Sequence, residues 1–240
     1  DLLFANTPNG STLSTERMRI TQNGYIGIGT ATPNAALEIF NASTADVLAT
    51  AHGSIAQFIG QHANGTPVAP SAVGSGDDLA WFGARGYDGQ GFSGTRAAMI
   101  MTAGQTWSST AHGTELLFAT TLNNTTTRTE RMRIANNGNV GIGTATPVAS
   151  LQVSSSNPQI YVTASGGGFA QIIGQSGNGS PETPTAVTSG QDLVWFGAQG
   201  YDGVSYSATR AAIIMKATEN WTGTAHGTEM LFATAANGTD

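Results

Sequence analysis

The sequence repeats itself at a spacing of 114 residues without a gap. Of the first 114 residues, 62 are identical to the residue 114 positions later, and the 240-residue chain holds two such units and the first twelve residues of a third. The phrase Thr15-Glu16-Arg17-Met18-Arg19-Ile20 recurs unchanged from Thr129 to Ile134. This repeat constrains the fold more than any other feature, because each copy must form the same structural unit. A chain that repeats one large module usually builds length.

The composition favours short strands joined by tight turns. Only 10% of the residues are charged, whereas glycine occupies 32 of the 240 positions. Large apolar residues recur at fixed places in both copies, which is not typical of a disordered chain. The sequence therefore predicts an all-β protein made of tandem 114-residue modules.

Eight strands are predicted in the first module from short runs bounded by Gly, Asn, Pro or Thr. They cover Leu2–Ala5, Arg17–Thr21, Tyr25–Gly29, Ala36–Phe40, Ile55–Gln61, Leu79–Ala84, Thr95–Thr102 and Thr114–Thr120. Asn23-Gly24 predicts a hairpin turn, and Tyr87-Asp88-Gly89 predicts a second turn. Gly27 and Gly29 predict a place where two backbones pass closely. No stretch has the sustained 3.6-residue period of a helix.

The two copies diverge completely in one window. Between Glu38 and His52 no residue is identical to its equivalent 114 positions later. We interpret this window as a connector or exposed segment under loose constraint, with the module boundary near it. The predicted division is 1–45 for the end of one module and its junction hairpin, 46–159 for a full module with its hairpin, and 160–240 for a second, truncated module. Because both ends fall within the repeat pattern, we expect the chain to be a segment of a longer protein.

Several classes of protein are disfavoured by what the sequence lacks. A formal net charge of −6 and the absence of a basic stretch argue against a nucleic-acid partner. The absence of cysteine excludes disulfides and thiolate chemistry. There is no run of 18 apolar residues, so membrane insertion is not expected. The glycine-rich segments lack the features of a phosphate-binding loop, and no cofactor is expected.

The phrase Thr-Glu-Arg-Met-Arg-Ile is followed by Asn-Gly, by Gly-Ile-Gly-Thr-Ala-Thr-Pro and by an apolar Leu-x-Ile/Val. This order resembles bacteriophage tail-fibre and tail-spike proteins, where the phrase often lies near a junction between fibre modules. Thr95–Ala98, Trp107 and Ala111–Glu115 also resemble repeats of those fibres. The resemblance covers essentially the whole module.

That resemblance implies an elongated homotrimer of parallel, interwoven chains, in which a distal tip recognises the receptor. Neither a distinct tip domain nor a terminal chaperone domain is visible in this sequence, which favours a shaft. Short glycine-rich strands also leave open edges that three wrapped chains would pair. We therefore expect an extracellular shaft, on a virion or a cell surface, whose partner is itself and whose host glycan or receptor is bound by another part. The alternatives are a bacterial filament or adhesin, and a carbohydrate-binding or depolymerising module.

The densest charged cluster is Glu16, Arg17 and Arg19, repeated as Glu130, Arg131 and Arg133. These side chains could bind an anionic sugar. Strand alternation would instead place the two arginines of each copy on one face, where ion pairs between chains would fix the register of the strands. We favour the register role.

The other repeated acidic residues are Asp78, Asp88 and Glu115, with Asp192, Asp202 and Glu229. Two carboxylates at a suitable separation could hydrolyse glycosides, but the sequence gives no sign that two of them converge. Asp88 before Gly89 is typical of a turn. No catalytic residue is assigned, and the protein is predicted not to be an enzyme.

The histidines and aromatic residues give weaker signals. His112 and His226 are equivalent, and three copies on a threefold axis could bind a metal ion, but we favour a structural role and predict no metal site. Trp81 and Phe82 should lie on opposite faces of a strand, with at least one of them buried. Aromatic side chains could stack on sugar rings, although they more often anchor a core. The possible glycan contacts are Tyr87, Tyr201, Trp107 and Trp221.

Overall fold

The computed structural model describes residues 1–236. Within them the chain is all-β and contains no helix, as the sequence predicts. In that part of the chain, no helix is long and apolar enough to cross a membrane. The chain forms two compact units, Asp1–Pro158 and Gln159–Asp240.

Twelve of the described strands belong to the first unit and five to the second. Those of the first unit are β1 (Leu2–Asn6), β2 (Thr15–Ile20), β3 (Ile26–Ile28), β4 (Leu37–Ile39), β5 (Asn64–Thr66), β6 (Ala69–Ser71), β7 (Asp78–Ala84), β8 (Ala97–Ala103), β9 (Thr114–Thr121), β10 (Arg128–Ile134), β11 (Val140–Ile142) and β12 (Leu151–Val153). Those of the second unit are β13 (Asn178–Ser180), β14 (Thr183–Thr185), β15 (Asp192–Ala198), β16 (Ala211–Ala217) and β17 (Thr228–Thr234).

The strands pair mostly with their neighbours along the chain. The first unit has a four-stranded sheet in the order β1-β2-β3-β4, a six-stranded sheet in the order β12-β11-β10-β9-β8-β7, and a β5-β6 hairpin. The second unit has a β13-β14 hairpin and a three-stranded sheet in the order β15-β16-β17. All pairs are antiparallel except β3 with β4 and β11 with β12, which are parallel.

Seven of the eight strands predicted in the first module are confirmed, with ends that differ by one or two residues. The predicted strand Ile55–Gln61 is wrong, because these residues lie in no sheet of the chain. Their apolar, β-branched character fits a strand, but a strand also needs a hydrogen-bonded neighbour. The β5-β6 hairpin was not predicted. Its residues include Gly65, with a φ of 83°, and Pro70, both of which favour loops.

The predicted hairpin turn at Asn23-Gly24 is confirmed between β2 and β3. The Thr21 N–H donates to the Tyr25 carbonyl at 2.8 Å, and the Gly24 N–H donates to the Thr21 carbonyl at 2.9 Å. Only Gly24 of the pair needs a positive φ, at 78°. The turn fixes the antiparallel register in which Ile20 lies opposite Ile26.

The predicted close approach at Gly27 and Gly29 is also confirmed. Gly27 is buried, and a Cβ added there would lie 2.5 Å from the Thr30 carbonyl oxygen. Gly29 has a φ of 75°, and its Cβ would overlap the Phe40 carbonyl oxygen. The Phe40 N–H donates to the Ile28 carbonyl at 2.8 Å. The two glycines therefore let a short connection return beside β3 and form the parallel β3-β4 pair.

Little of the chain is buried within itself. No large side chain in residues 1–236 is fully buried. The chain exposes 17786 Å², whereas two compact domains of these lengths would together expose about 12,000 Å². The excess means that packing within one chain leaves much of the apolar surface in contact with solvent.

We predict that Gly29→Ala destabilises the fold more than Gly24→Ala. Both positions have a positive φ, which costs a residue with a Cβ about 1–2 kcal/mol, but a Cβ at Gly24 meets nothing within 4 Å. The additional clash at Gly29 adds to that cost. Urea unfolding followed by circular dichroism gives both free energies. Equal losses in the two variants would contradict the close approach.

Candidate functional site

The six-stranded sheet carries two apolar rows on one of its faces. Residues that lie opposite one another in paired strands point to the same face. The register therefore defines an apolar face from Ala80, Met101, Leu116, Ile134, Val140 and Leu151 in one row and Phe82, Met99, Phe118, Met132, Ile142 and Val153 in the other. Each of the six strands contributes one residue to each row.

This apolar face is only partly covered. Phe82 is 54% exposed and Leu151 is 58% exposed. A cavity of about 620 Å³ opens on the face, where Phe58 and Ile59 approach Phe82 and Ile134. An exposed apolar surface that extends across a whole sheet is typical of an interaction site rather than of a monomer surface.

The other two large sheets repeat this arrangement. In the four-stranded sheet the rows are Leu2, Ile20, Ile26 and Leu37, and Phe4, Met18, Ile28 and Ile39. In the three-stranded sheet they are Val194, Met215 and Met230, and Phe196, Ile213 and Phe232. Phe4 is 48% exposed and Phe232 is 76% exposed. Each of these sheets therefore has an apolar face that its own unit leaves open.

The opposite face carries the charged cluster that the sequence singled out. Arg19 donates two hydrogen bonds to the Glu16 carboxylate, both at 2.7 Å, and forms an ion pair with Asp1 at 2.9 Å. Arg133 binds Glu130 in the same way, and it also pairs with Glu115 at 2.5 Å. The pairs with Glu16 and Glu130 lie within β2 and β10, whereas those with Asp1 and Glu115 link β2 to the residue before β1 and β10 to β9. All of these ion pairs join residues of one chain.

A β-bulge makes this pairing possible. Residues three apart in a regular strand point to opposite faces, so Glu16 and Arg19 should not meet. The register of β2 against β1 shifts between Glu16 and Met18, which leaves Arg17 without an opposite residue. This extra residue reverses the alternation and brings Glu16 and Arg19 to one face. β10 has the same shift at Arg131.

The predicted alternation of the two arginines does not hold at the bulge. Arg17 donates to the Asn6 side chain at 2.7 Å, and Arg131 donates to the Thr120 hydroxyl at 3.1 Å. Neither shares the acidic partners of Arg19 or Arg133. An interchain role for the six charged residues remains a prediction, since the pairs observed lie within one chain.

The ion pairs shift the pKa values of their members. Hydrogen bonding to Arg19 lowers the pKa of the Glu16 carboxyl below its usual value. The bond with Glu130 raises the pKa of Arg133, and Glu115 adds to this effect. The lowered pKa of the carboxyl and the raised pKa of the guanidinium both favour the charged forms, as expected for a charge-assisted bidentate pair.

The tyrosines proposed as glycan contacts lie on exposed loops. Tyr87 follows β7 and is 64% exposed, and Tyr201 follows β15 and is 61% exposed. Each forms an edge-on ring pair, with Phe92 at 5.7 Å and with Tyr206 at 5.4 Å between centroids. Their accessible rings fit the proposed role, which remains a prediction.

The tryptophans proposed as glycan contacts form hydrogen bonds and ring contacts within the chain. Trp107 donates from Nε1 to the Gly113 carbonyl at 3.2 Å, and Trp221 donates to the Gly227 carbonyl at 3.3 Å. Each ring also packs edge-on against a histidine, His112 or His226. This contact gives both histidines a structural role. Among the described residues, no group of three or more His, Asp or Glu side chains could hold a metal ion.

Trp81 and Phe82 do lie on opposite faces of β7, but neither is buried within one chain. Trp81 is 48% exposed, and the Arg128 guanidinium lies 4.8 Å from its ring centroid. Phe82 belongs to the apolar face described above. The prediction that one of the two is buried is therefore wrong for the single chain.

Five of the six repeated acidic residues have partners within the chain. Asp88 accepts hydrogen bonds from the N–H groups of Gln90 and Gly91, which lower its pKa, and this confirms the turn. Asp202 accepts equivalent bonds from Val204 and Ser205. Three of the other four acids also have a partner: the Thr102 hydroxyl donates to Asp78, and Glu115 and Asp192 pair with Arg133 and Lys216. The fourth, Glu229, lies opposite Lys216 in the β16-β17 pair.

The chain is similar to solved structures of one viral fibre protein. It matches the carboxy-terminal domain of the bacteriophage T5 L-shaped tail fibre with a TM-score of 0.72 and 19% identity, over 82% of this chain and 84% of that chain. It also matches a longer form of that domain, with its intramolecular chaperone domain, with a TM-score of 0.73 and 19% identity over 82% of this chain. The fold is that of a phage tail-fibre domain.

The chain spans 58% of the longer form. No protein-family model matches the sequence, and no curated protein matches it either. The resemblance noted in the sequence is therefore confirmed at the level of fold.

One structural contact, made by Asp77, was not predicted from the sequence. Asp77 accepts hydrogen bonds from the Gly74 N–H and the Asn64 amide, both at 2.7 Å, and these bonds lower the pKa of its carboxyl. In the second copy Gln191 replaces it and accepts from the Thr188 N–H at 3.2 Å. The sequence holds one sign of this contact: Asp77 is replaced by Gln191 at the equivalent position of the second copy, and both side chains can accept a hydrogen bond from a backbone N–H.

We predict that Asp77→Gln makes the stability of the fold less dependent on acid pH. The pKa of Asp77 is lowered in the folded state, so its stabilising effect is complete above the unfolded pKa of about 3.9 and is lost as the pH falls through the folded value. The glutamine variant lacks this loss and keeps an acceptor for the backbone. Urea midpoints from pH 6 down to acid pH measure the difference. Parallel curves for wild type and variant would contradict the assigned role.

We predict that Trp107→Ala costs more stability than Tyr87→Ala. The tryptophan loses a hydrogen bond and its ring contact with His112, which together contribute about 1–3 kcal/mol. The tyrosine is mostly exposed and loses its edge contact with Phe92, so its loss should change the free energy of unfolding by about 1 kcal/mol or less. Thermal unfolding of the two variants tests this ranking, and a larger loss for Tyr87→Ala would overturn it.

Proposed function

We propose that the chain is a shaft segment of an extracellular homotrimeric fibre, like that of a phage tail, which presents a host-recognition tip located elsewhere. The role is mechanical rather than enzymatic. The observation that carries this proposal is the open apolar face on each of the three large sheets.

The apolar faces fit a partner that is another copy of the same chain. Each face consists of side chains such as Phe82, Met99 and Phe118, with no charged residue in either row. Burial of apolar surface is worth about 25 cal/mol per Å², so covering the apolar rows of the three sheets would favour association strongly. Packing the same face of three chains around one axis would remove it from water and give the fibre a continuous core.

The polar faces fit the outside of such a fibre. They carry the ion pairs of Arg19 and Arg133, which are already satisfied within one chain. A surface with few charges and many Thr, Ser and Asn side chains is well hydrated and produces only a weak long-range electrostatic potential. The fold of a phage tail-fibre domain supports the same location, on a virion and outside the cell.

We predict that the chain in solution has three times its monomer mass of 24.5 kDa, and that Phe82→Asp with Phe232→Asp dissociates it. Burying an unpaired carboxylate in an apolar interface is strongly unfavourable. The matched control is Tyr87→Asp with Tyr206→Asp. It replaces two aromatic residues of the loops that are 64% and 73% exposed but lie outside the apolar rows. Sedimentation equilibrium measures the mass of each variant.

A wild-type monomer with intact β-structure would contradict the proposal. Association that continues beyond the trimer would instead favour a filament built of the same module. Loss of the trimer in the control variant as well would show that the apolar rows do not form the interface.

A further inference from the structure

Methionine is confined to the apolar rows of the three large sheets. The sequence contains six methionines, and every one of them occupies a position in these rows: Met18, Met99, Met101, Met132, Met215 and Met230. On the opposite face of the same sheets, the large aliphatic residues are Ile100, Leu117, Ile214 and Leu231. All the thioethers of the chain therefore lie on the surface that the proposed trimer would bury.

The neighbours of these methionines are apolar and in part aromatic. Met99 lies between Phe82 and Phe118 in its row, and Met132 lies opposite Phe118 on the other side. Side chains that lie opposite one another in paired strands interact, and a thioether beside an aromatic ring is favourable. An unmodified methionine fits such a row, whereas a polar side chain there would have no hydrogen-bond partner in its row.

Shape alone does not require methionine at these positions. Met99 has Ile213 as its equivalent in the second copy, and Leu116 has Met230. Swaps among Met, Leu and Ile conserve volume and are usually tolerated. The property that separates methionine from leucine and isoleucine is the chemistry of its sulfur, which oxidants convert to a sulfoxide.

A peroxide supplies the oxygen for this conversion. The sulfur lone pair attacks one oxygen of hydrogen peroxide, so that an S–O bond forms and the O–O bond breaks. The second oxygen leaves as hydroxide and takes up the proton of the first, which gives water. The sulfur loses two electrons and the peroxide gains them. The sulfoxide is polar, and it disrupts apolar cores and interfaces rich in methionine.

The thioethers are accessible in the single chain. Met230 is 56% exposed, and the other five methionines are all partly exposed. The chain has no cysteine, so no thiol competes for the oxidant. In a homotrimer each methionine would occur three times around the axis, so one sulfoxide in every chain would place three polar groups in the interface.

We propose that the methionines make assembly sensitive to oxidation. A chain that a peroxide has oxidised before assembly does not join a trimer, whereas burial in the trimer protects the same thioethers. The inference rests on the proposed trimer and assigns to its apolar interface a control by the redox state of the methionines. Because sulfoxides can be reduced enzymatically, the block is reversible.

The test begins with unfolded chains. Wild type in urea is treated with hydrogen peroxide until peptide masses show one oxygen on each methionine, the peroxide is removed, and the chains are refolded. Sedimentation equilibrium should show a loss of trimer of about tenfold or more, because one buried polar group without a partner is enough to change an association constant by that factor. Treatment with the two methionine sulfoxide reductases and a thiol before refolding should restore the trimer.

The matched control is a chain without methionine. Two of its substitutions, Met99→Ile and Met230→Leu, introduce the residue that the other copy carries, and the other four are Met18→Leu, Met101→Leu, Met132→Leu and Met215→Leu. This variant should form the same amount of trimer with and without peroxide. A third sample, the wild-type trimer treated after assembly, should be oxidised about tenfold more slowly than the chain in urea, since oxidation follows exposure.

The outcomes separate the inference from the proposed function. Oxidised wild type that forms as much trimer as untreated wild type would overturn the inference and leave the proposed function intact, whereas untreated wild type without a trimer would overturn both. An equal loss in the variant without methionine, a loss that the reductases do not reverse, or equally fast oxidation of the assembled trimer would also overturn the inference.

A smaller variant keeps the test decisive if the chain with six substitutions does not fold. It carries only Met99→Ile and Met230→Leu. After the same exposure to peroxide it should lose less trimer than wild type, because it has two fewer sulfoxides per chain. A loss equal to that of wild type would count against the inference.

Discussion

Each large sheet of this protein has one face made of apolar side chains that its own unit leaves open. A β-strand points alternate residues to opposite faces, so a sheet with one apolar face must bury that face to be stable. A globular domain does this with a second layer. Here Phe82, Phe196 and Phe232 remain about half exposed or more, and in the proposed trimer the layer that covers them comes from other copies of the chain. The proposed trimer, its shaft role and its polar exterior all depend on this requirement.

Much of the fold could be predicted from the sequence because it depends on local signals. The hairpin at Asn23-Gly24 and the strands on either side of it follow from turn chemistry and alternation, and the glycines at 27 and 29 follow from the close approach of two backbones. The strand predicted at Ile55–Gln61 is wrong in the single chain because the same local signals cannot supply a neighbouring strand. Whether a segment forms a strand depends on a neighbouring strand to which its backbone can hydrogen-bond, and local sequence signals do not identify that neighbour.

The candidate site was less predictable, for a similar reason. The pattern showed that Met18 and Ile20 alternate with polar residues, but not that the apolar face lacks a second layer. It also placed Arg17 and Arg19 together, because alternation is regular unless a bulge interrupts it. The bulge at Arg17 has no strong local signal in the sequence. Trp107 and Tyr87 looked equally able to bind a sugar, and only their hydrogen bonds and exposure separate a structural ring from an accessible one.

The bulge and the apolar face depend on each other. A slip of one residue in the pairing of β1 with β2 would move Leu2 and Phe4 to the polar side and bring charged residues to the apolar side. The bidentate bond between Glu16 and Arg19 forms only when the bulge places both on one face, and the pair then contacts Asp1 across the strands. The same geometry recurs at Glu130, Arg133 and Glu115. The ion pairs therefore form only in the register that keeps the opposite face of each sheet apolar.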